Sequence, residues 1–241
     1  MISDLRERKS KALEFFLERL LQSEVKNSIG KILLFGSFSR GQLKEGSDID
    51  LLIFVPNQLD EVGDACDTTS FETAVQFGES VEPLIFCLDE LRYPHSYFLF
   101  KAVKEGKELY AMNERKMRKE EAVGYLDLAK EYMDLAKYNL SGGYYRGVID
   151  AAYNSIELCA KGFLLLRLDS IPTSHGGVVQ KFGELYVKTK IISDEVGRGL
   201  RHSLRLRNSA RYEPHARIAK EDAEKIMDLA NSLLKLLGQE V

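Results

Sequence analysis

The chain contains no tryptophan, and only three cysteines and five prolines among its 241 residues. The cysteines (Cys66, Cys87, Cys159) are scattered, and the four histidines are dispersed. That excludes a disulfide framework and the paired spacing of a zinc site, and a reducing cytoplasm is the expected compartment. No apolar run approaches the roughly 20 residues of a bilayer-spanning helix, so no membrane partner is expected. The opening residues, Met-Ile-Ser-Asp-Leu-Arg-Glu-Arg-Lys, lack the apolar core of a signal peptide. What the chain does have is 44% hydrophobic residues, enough for one large or two small domains with proper cores.

Charge is unevenly distributed. Residues 1–112 hold 13 Lys and Arg against 19 Asp and Glu, whereas the remaining 129 residues hold 21 against 18. An acidic half followed by a basic half suggests two modules. The expected domains are 1–112 and 118–241, with the charged stretch Asn113–Glu121 as a linker or helix lead-in. Spacing in the first half alternates helix and strand. Leu13, Phe16, Leu17, Leu20 and Leu21 predict an amphipathic helix over 3–25. Strands follow at 31–35 and 49–55, a helix at 58–78, a strand at 81–87 and a helix at 88–105. This is an α/β (α+β) domain with helices on a small mixed sheet.

Chemistry concentrates in residues 36–50, Gly-Ser-Phe-Ser-Arg-Gly-Gln-Leu-Lys-Glu-Gly-Ser-Asp-Ile-Asp. A Gly-Ser pair ends one apolar run, and Asp48-Ile-Asp50 opens the next. Alternation along a strand puts Asp48 and Asp50 on one face. Two neighbouring carboxylates repel unless a cation lies between them, and Mg²⁺ (or Mn²⁺) accepts such oxygens while leaving positions for substrate phosphates. Gly36 allows close approach of a phosphate. Ser37 offers a hydroxyl and an amide, Arg40 reaches the same phosphates, and Ser47 adjoins them. Asp-x-Asp alone is commonly a solvated turn, and Gly-Ser a plain one. Their conjunction between two strands is the more specific signal.

With these residues the chain resembles the minimal branch of the DNA polymerase β-type nucleotidyltransferase superfamily, over about residues 1–110. The resemblance implies an NTP substrate, most simply ATP, and transfer of a nucleoside monophosphate to an acceptor hydroxyl with release of pyrophosphate. Asp48 and Asp50 would be catalytic metal ligands, and Gly36, Ser37, Arg40 and Ser47 nucleotide-binding residues. A third carboxylate on a neighbouring strand is also implied; Glu82 is the best match and Glu79 the alternative.

The second half offers no convincing strand. Apolar stripes predict helices from about Ala122 to a stop at Ser141-Gly-Gly143, then over 144–166, 174–187, 193–212 and 220–237, with Gly238 as a C-cap. This is an all-α helical bundle. Ser174-His-Gly-Gly-Val178, Arg207-Asn-Ser-Ala-Arg-Tyr212 and the helix at Glu221-Asp-Ala223 resemble HEPN domains over 118–241. Many HEPN domains are ribonucleases with an Arg, a polar residue and, after a short gap, a His. Here Arg207 and Asn208 are present, but Tyr212 stands where the His would fall. The resemblance extends to prokaryotic toxin–antitoxin pairs in which a nucleotidyltransferase modifies a HEPN protein. The HEPN half would bind substrate or serve as acceptor, with Tyr212 as a possible acceptor residue and homo-oligomers expected. Basic residues between 198 and 220 offer a face for RNA or a protein acceptor, or for the acidic first domain. Two alternatives stay open: a non-catalytic nucleotide-binding regulator, and a HEPN ribonuclease fused to its silencer.

Overall fold

The computed structural model describes residues 2–42, 44–56 and 59–241. The chain divides into two compact units, Met1–Met117 and Arg118–Val241. Among the described residues, no helix is long and apolar enough to cross a membrane.

In the first unit, α1 (Ile2–Gln22) is followed by a 3₁₀ turn and by β1 (Lys31–Leu34), the four-residue helix α2 (Gly36–Ser39), β2 (Ile49–Val55), α3 (Leu59–Phe77) and β3 (Val81–Cys87). Then come α4 (Leu88–Arg92), α5 (Tyr97–Glu105) and β4 (Lys107–Ala111). Among the described residues the strands form one mixed sheet in the order β3-β2-β1-β4. β1 is antiparallel to β2 and β4, and β2 is parallel to β3 through the α3 crossover. The sheet is covered on both faces, which explains the unbroken apolar run of β2. Ile49, Leu51, Ile53 and Val55 pack with Ala12, Phe16 and Leu20 of α1 and with Val62 and Cys66 of α3. Leu52 and Phe54 pack on the opposite face with Leu88, Leu99 and Ala102 of α4 and α5. Pro83 falls on β3, an edge strand, where a missing N–H interrupts no central ladder.

Two elements differ from the sequence expectation. The helix expected over 88–105 is two, because Pro94 cannot sit in a helix interior. The chain restarts at Ser96, whose Oγ accepts the Leu99 amide at 3.1 Å as an N-cap. β4 was not expected. Of the two readings of 113–121, linker or helix lead-in, the second holds, since α6 (Glu114–Ser141) begins there with Asn113 Oδ1 accepting the Arg115 amide at 3.0 Å. Gln58, where the helix over 58–78 was expected to begin, lies outside the described residues.

The second unit holds the rest of α6, then α7 (Tyr145–Leu165), α8 (His175–Phe182), α9 (Asp194–Tyr212) and α10 (Lys220–Glu240). The central helix α7 buries Val148, Ile149, Ala152, Ile156, Ala160 and Phe163. At Gly162 it approaches α10 so closely that a Cβ would stand 2.7 Å from Leu237 Cδ2. Phe163, Phe182 and Tyr186 form an aromatic cluster, and the Tyr186 hydroxyl donates to the Phe163 carbonyl at 2.5 Å. The helix expected over 174–187 is α8 followed by one π-helical turn, Gly183–Val187. α10 runs through Gly238, which therefore is not a cap; its φ is not left-handed.

Candidate active site

The Gly-Ser turn and the Asp-x-Asp strand meet because β1 and β2 are antiparallel neighbours. The Phe35 amide donates to the Asp50 carbonyl at 3.0 Å, which sets Gly36 beside the Asp50 side chain. Gly36 has φ +73°, a conformation that favours glycine, and an alanine Cβ there would stand 1.8 Å from Asp50 Oδ2. The Asp50 carboxylate also accepts the backbone N–H of Ser37. That amide, expected to face a phosphate, is thus occupied by Asp50 and fastens the two motifs together. Burial, and then the charge of Asp48, push the Asp50 carboxyl above the usual aspartate range, with Ser37 and Arg40 opposing.

By strand alternation Asp50 belongs to the α4/α5 face of the sheet, with Leu52 and Phe54. Glu82 is its register partner on β3, shares that face and is exposed. Glu79 behaves differently. It is 4% exposed and accepts from Lys9 Nζ and Arg8 Nε, each at 2.5 Å. Burial pushes its carboxyl up, but Lys9 and Arg8 outweigh burial and hold it below the usual glutamate range. Its charge is thereby committed within the fold. Among the described residues, no three Asp, Glu, His or Cys side chains are drawn into a closed ion-binding group.

Lys9 is a residue that sequence reasoning missed. It is fully buried and donates to the Ser47 carbonyl as well as to Glu79, so α1 anchors the backbone just before Asp48. A lysine within an amphipathic helix reads as solvated; Glu79 and the Ser47 carbonyl, both far along the chain, give it a buried role. Ser47 is itself a turn residue, its Oγ donating to the Lys44 carbonyl at 2.8 Å. Arg40 is exposed near Asp50.

Beside Gly36 opens a cavity of about 390 Å³ lined by Phe35, Gly36, Ser39, Arg40, Tyr97, Phe98, Lys101, Ala102 and Glu105.

In the second unit the structure brings Arg207, Asn208 and Tyr212 together on α9. Arg207 is buried and lies over the Tyr212 ring, 5.7 Å from its centroid, and its Nη1 donates to Asn208 Oδ1 at 3.3 Å. Two partners of Arg207, Asp150 and Tyr153, were not anticipated. Asp150 stands 3.6 Å from Arg207 Nε and 3.5 Å from Arg211 Nη1. Tyr153 is stacked beneath Arg207. Glu157 accepts from Lys161 at 3.1 Å and is hydrogen-bonded to His175 Nδ1. Asp150, Tyr153, Glu157 and Lys161 recur at helical spacing on α7, a polar stripe on an otherwise apolar helix. Arg198, Arg201 and Arg205, expected on one helical face, are exposed, whereas Arg207, expected with Arg211 on another, is turned inward.

A mixed sheet with a Gly-Ser turn held against a strand carboxylate, followed by a helical bundle, defines a two-module protein. The chain belongs to the nucleotidyltransferase domain family, whose model matches residues 9–125, joined to a HEPN domain matched over residues 122–240. Among its relatives, both from Methanocaldococcus jannaschii, "Putative toxin MJ0605" is 31% identical over 109 residues, 45% of this chain and 80% of that protein. "Putative protein adenylyltransferase MJ0604" is 39% identical over 72 residues, 30% of this chain and 71% of that protein. A solved structure, spectinomycin adenyltransferase AAD(9) from Enterococcus faecialis with ATP and spectinomycin, aligns over 94% of this chain and 99% of its own at 16% identity and a TM-score of 0.33.

The family implies an NTP substrate and a divalent metal. The residues present fit a cation: Asp48 and Asp50 are close enough for the charge of one to raise the other's carboxyl, and Glu82 adds an exposed oxygen donor beside Asp50.

Proposed function

We propose that this protein transfers a nucleoside monophosphate from an NTP to a hydroxyl acceptor with release of pyrophosphate. The observation that carries this reading is the Asp50 carboxylate seated against the Gly36–Ser37 turn, with Asp48 close by and Glu82 in register. Asp48, Asp50 and Glu82 would hold Mg²⁺ or Mn²⁺. When bound, such an ion neutralises phosphate charge and stabilises the attacking and leaving oxygens. Gly36 lets the turn close against Asp50, the Ser37 hydroxyl donates to the triphosphate chain, and the Arg40 guanidinium pairs with its oxygens. Glu82, exposed and in register with Asp50, helps deprotonate the attacking hydroxyl. Such chemistry is mostly positioning and charge neutralisation.

The acceptor is a protein hydroxyl, a reading supported by the naming of one relative as a protein adenylyltransferase and another as a toxin. Within this chain Tyr212 is the acceptor, being 67% exposed at the end of α9 beside Arg207. Incubation with each α-labelled NTP and Mg²⁺ or Mn²⁺ tests the reaction. Label on protein with wild type, and none with Asp48→Asn/Asp50→Asn, supports transfer. Absence of label on any macromolecule, despite NTP binding, would leave a nucleotide-binding regulator instead. Mass spectrometry of the labelled protein locates the acceptor, and an unmodified Tyr212 removes that assignment.

A further inference from the structure

Nothing in the phosphate turn or the carboxylates selects a base, yet the cavity next to them has the character of a base site. Its lining runs without a break from Gly36, Ser39 and Arg40, at the turn, to Phe98 and Tyr97 on α5. It lies on the side of the sheet to which Asp50 belongs, because Phe35 packs with the α4/α5 core. About 390 Å³ is within the range of small-molecule sites. The walls are aromatic: Phe35 and Phe98 meet edge to face with centroids 5.7 Å apart. Phe98 is 51% exposed and Tyr97 79% exposed, an arrangement that burial in a core does not explain and that a flat ligand would cover. Charge is confined to the rim, where Arg40, Lys101 and Glu105 are exposed, while the buried member of the lining is Ala102.

We infer that this cavity holds the base of the NTP, a purine stacked on the α5 aromatics, and that it grades bases by ring area rather than by their hydrogen-bonding edges. The inference rests on the nucleotidyltransferase reading above. A stacking surface tolerates any base with a sufficient π face, whereas discrimination of adenine from guanine needs buried polar groups that would be left unpaired by the wrong base. No buried polar side chain is in this lining. ATP and GTP should therefore bind alike, both more tightly than CTP and UTP.

The test is equilibrium binding to the full chain with Mg²⁺, without acceptor, of ATP, GTP, CTP, UTP and inorganic tripolyphosphate. Wild type is compared with Phe98→Ala, Tyr97→Ala and Phe98→Trp. The expected result is ATP and GTP within about threefold of each other and a loss of about tenfold or more for both in Phe98→Ala, as for removal of a stacked aromatic. Tripolyphosphate affinity should be unchanged and Phe98→Trp should restore purine binding. Tyr97→Ala, at the most exposed position, provides a variant whose folding is not at risk. Equal affinity of all four nucleotides, purine binding indifferent to both alanine variants, or a large preference for adenine over guanine would overturn the base site while tripolyphosphate binding upholds the phosphate site. Failure of tripolyphosphate and every nucleotide to bind would overturn both.

Discussion

Gly36 carries two constraints at one residue, a left-handed φ and the Asp50 carboxylate where a Cβ would be. Gly36→Ala should cost about 1–2 kcal/mol for the backbone alone. It should also lower nucleotidyl transfer about 100-fold, since a misplacement of about 1 Å at a reacting site costs that much. Transfer rate and Tm measured on one preparation separate the two effects. Lys9 acts through burial. Lys9→Met leaves the buried Glu79 carboxylate with Arg8 alone, and the cost should approach the ~3–5 kcal/mol of removing one partner of a buried pair. Lys9→Met/Glu79→Gln should recover much of that loss, and urea unfolding of the four members of the cycle checks it. The two motifs, each at a strand end, were legible in the sequence; that Gly36 and the Ser37 amide close on the Asp50 carboxylate was not, because it depends on how the two strands pair. Lys9 and Glu79 were not, because they are 70 residues apart and nothing local says that their charges meet out of water.

At the scale of elements, β2 and β3 were legible to the residue because their apolar runs are short, continuous and bounded. β4 was not: Lys107-Glu-Leu-Tyr-Ala111 is half exposed at the sheet edge, and its composition reads as the tail of a helix. The gap between α4 and α5 was written in Pro94 and overridden by the apolar run Tyr97–Phe100. Gly238 was read as a stop, yet tertiary packing of Leu233 and Leu237 carries α10 past it. The same principle applied within α6 gives a prediction. Gly124 is an exposed helix-interior glycine with open space around its absent Cβ. Gly124→Ala should therefore raise stability by about 1 kcal/mol, readable as an increased urea midpoint with unchanged slope.

For the molecule as a whole, each unit contains a buried glutamate of depressed proton affinity. In Glu79, burial is outweighed by Lys9 and Arg8; in Glu157, burial is outweighed by His175 and Lys161. A carboxyl whose folded pKa lies below its unfolded value stabilises the protein above the unfolded value, and that contribution fades as pH falls through the folded one. Stability should hold above about pH 5 and decline below about pH 4, around the ordinary glutamate value. Glu79→Gln and Glu157→Gln should each be less stable near neutrality and less sensitive to acid, as urea midpoints between pH 3 and 7 will record. Lys9 has one more consequence, which concerns chemistry from outside. An amine with no solvent exposure is hidden from acylating reagents, unlike its exposed neighbour Lys11. Acylation of Lys9 then requires α1 to lift from the sheet, so its rate of modification is a clock for the opening of the strand that carries the carboxylates.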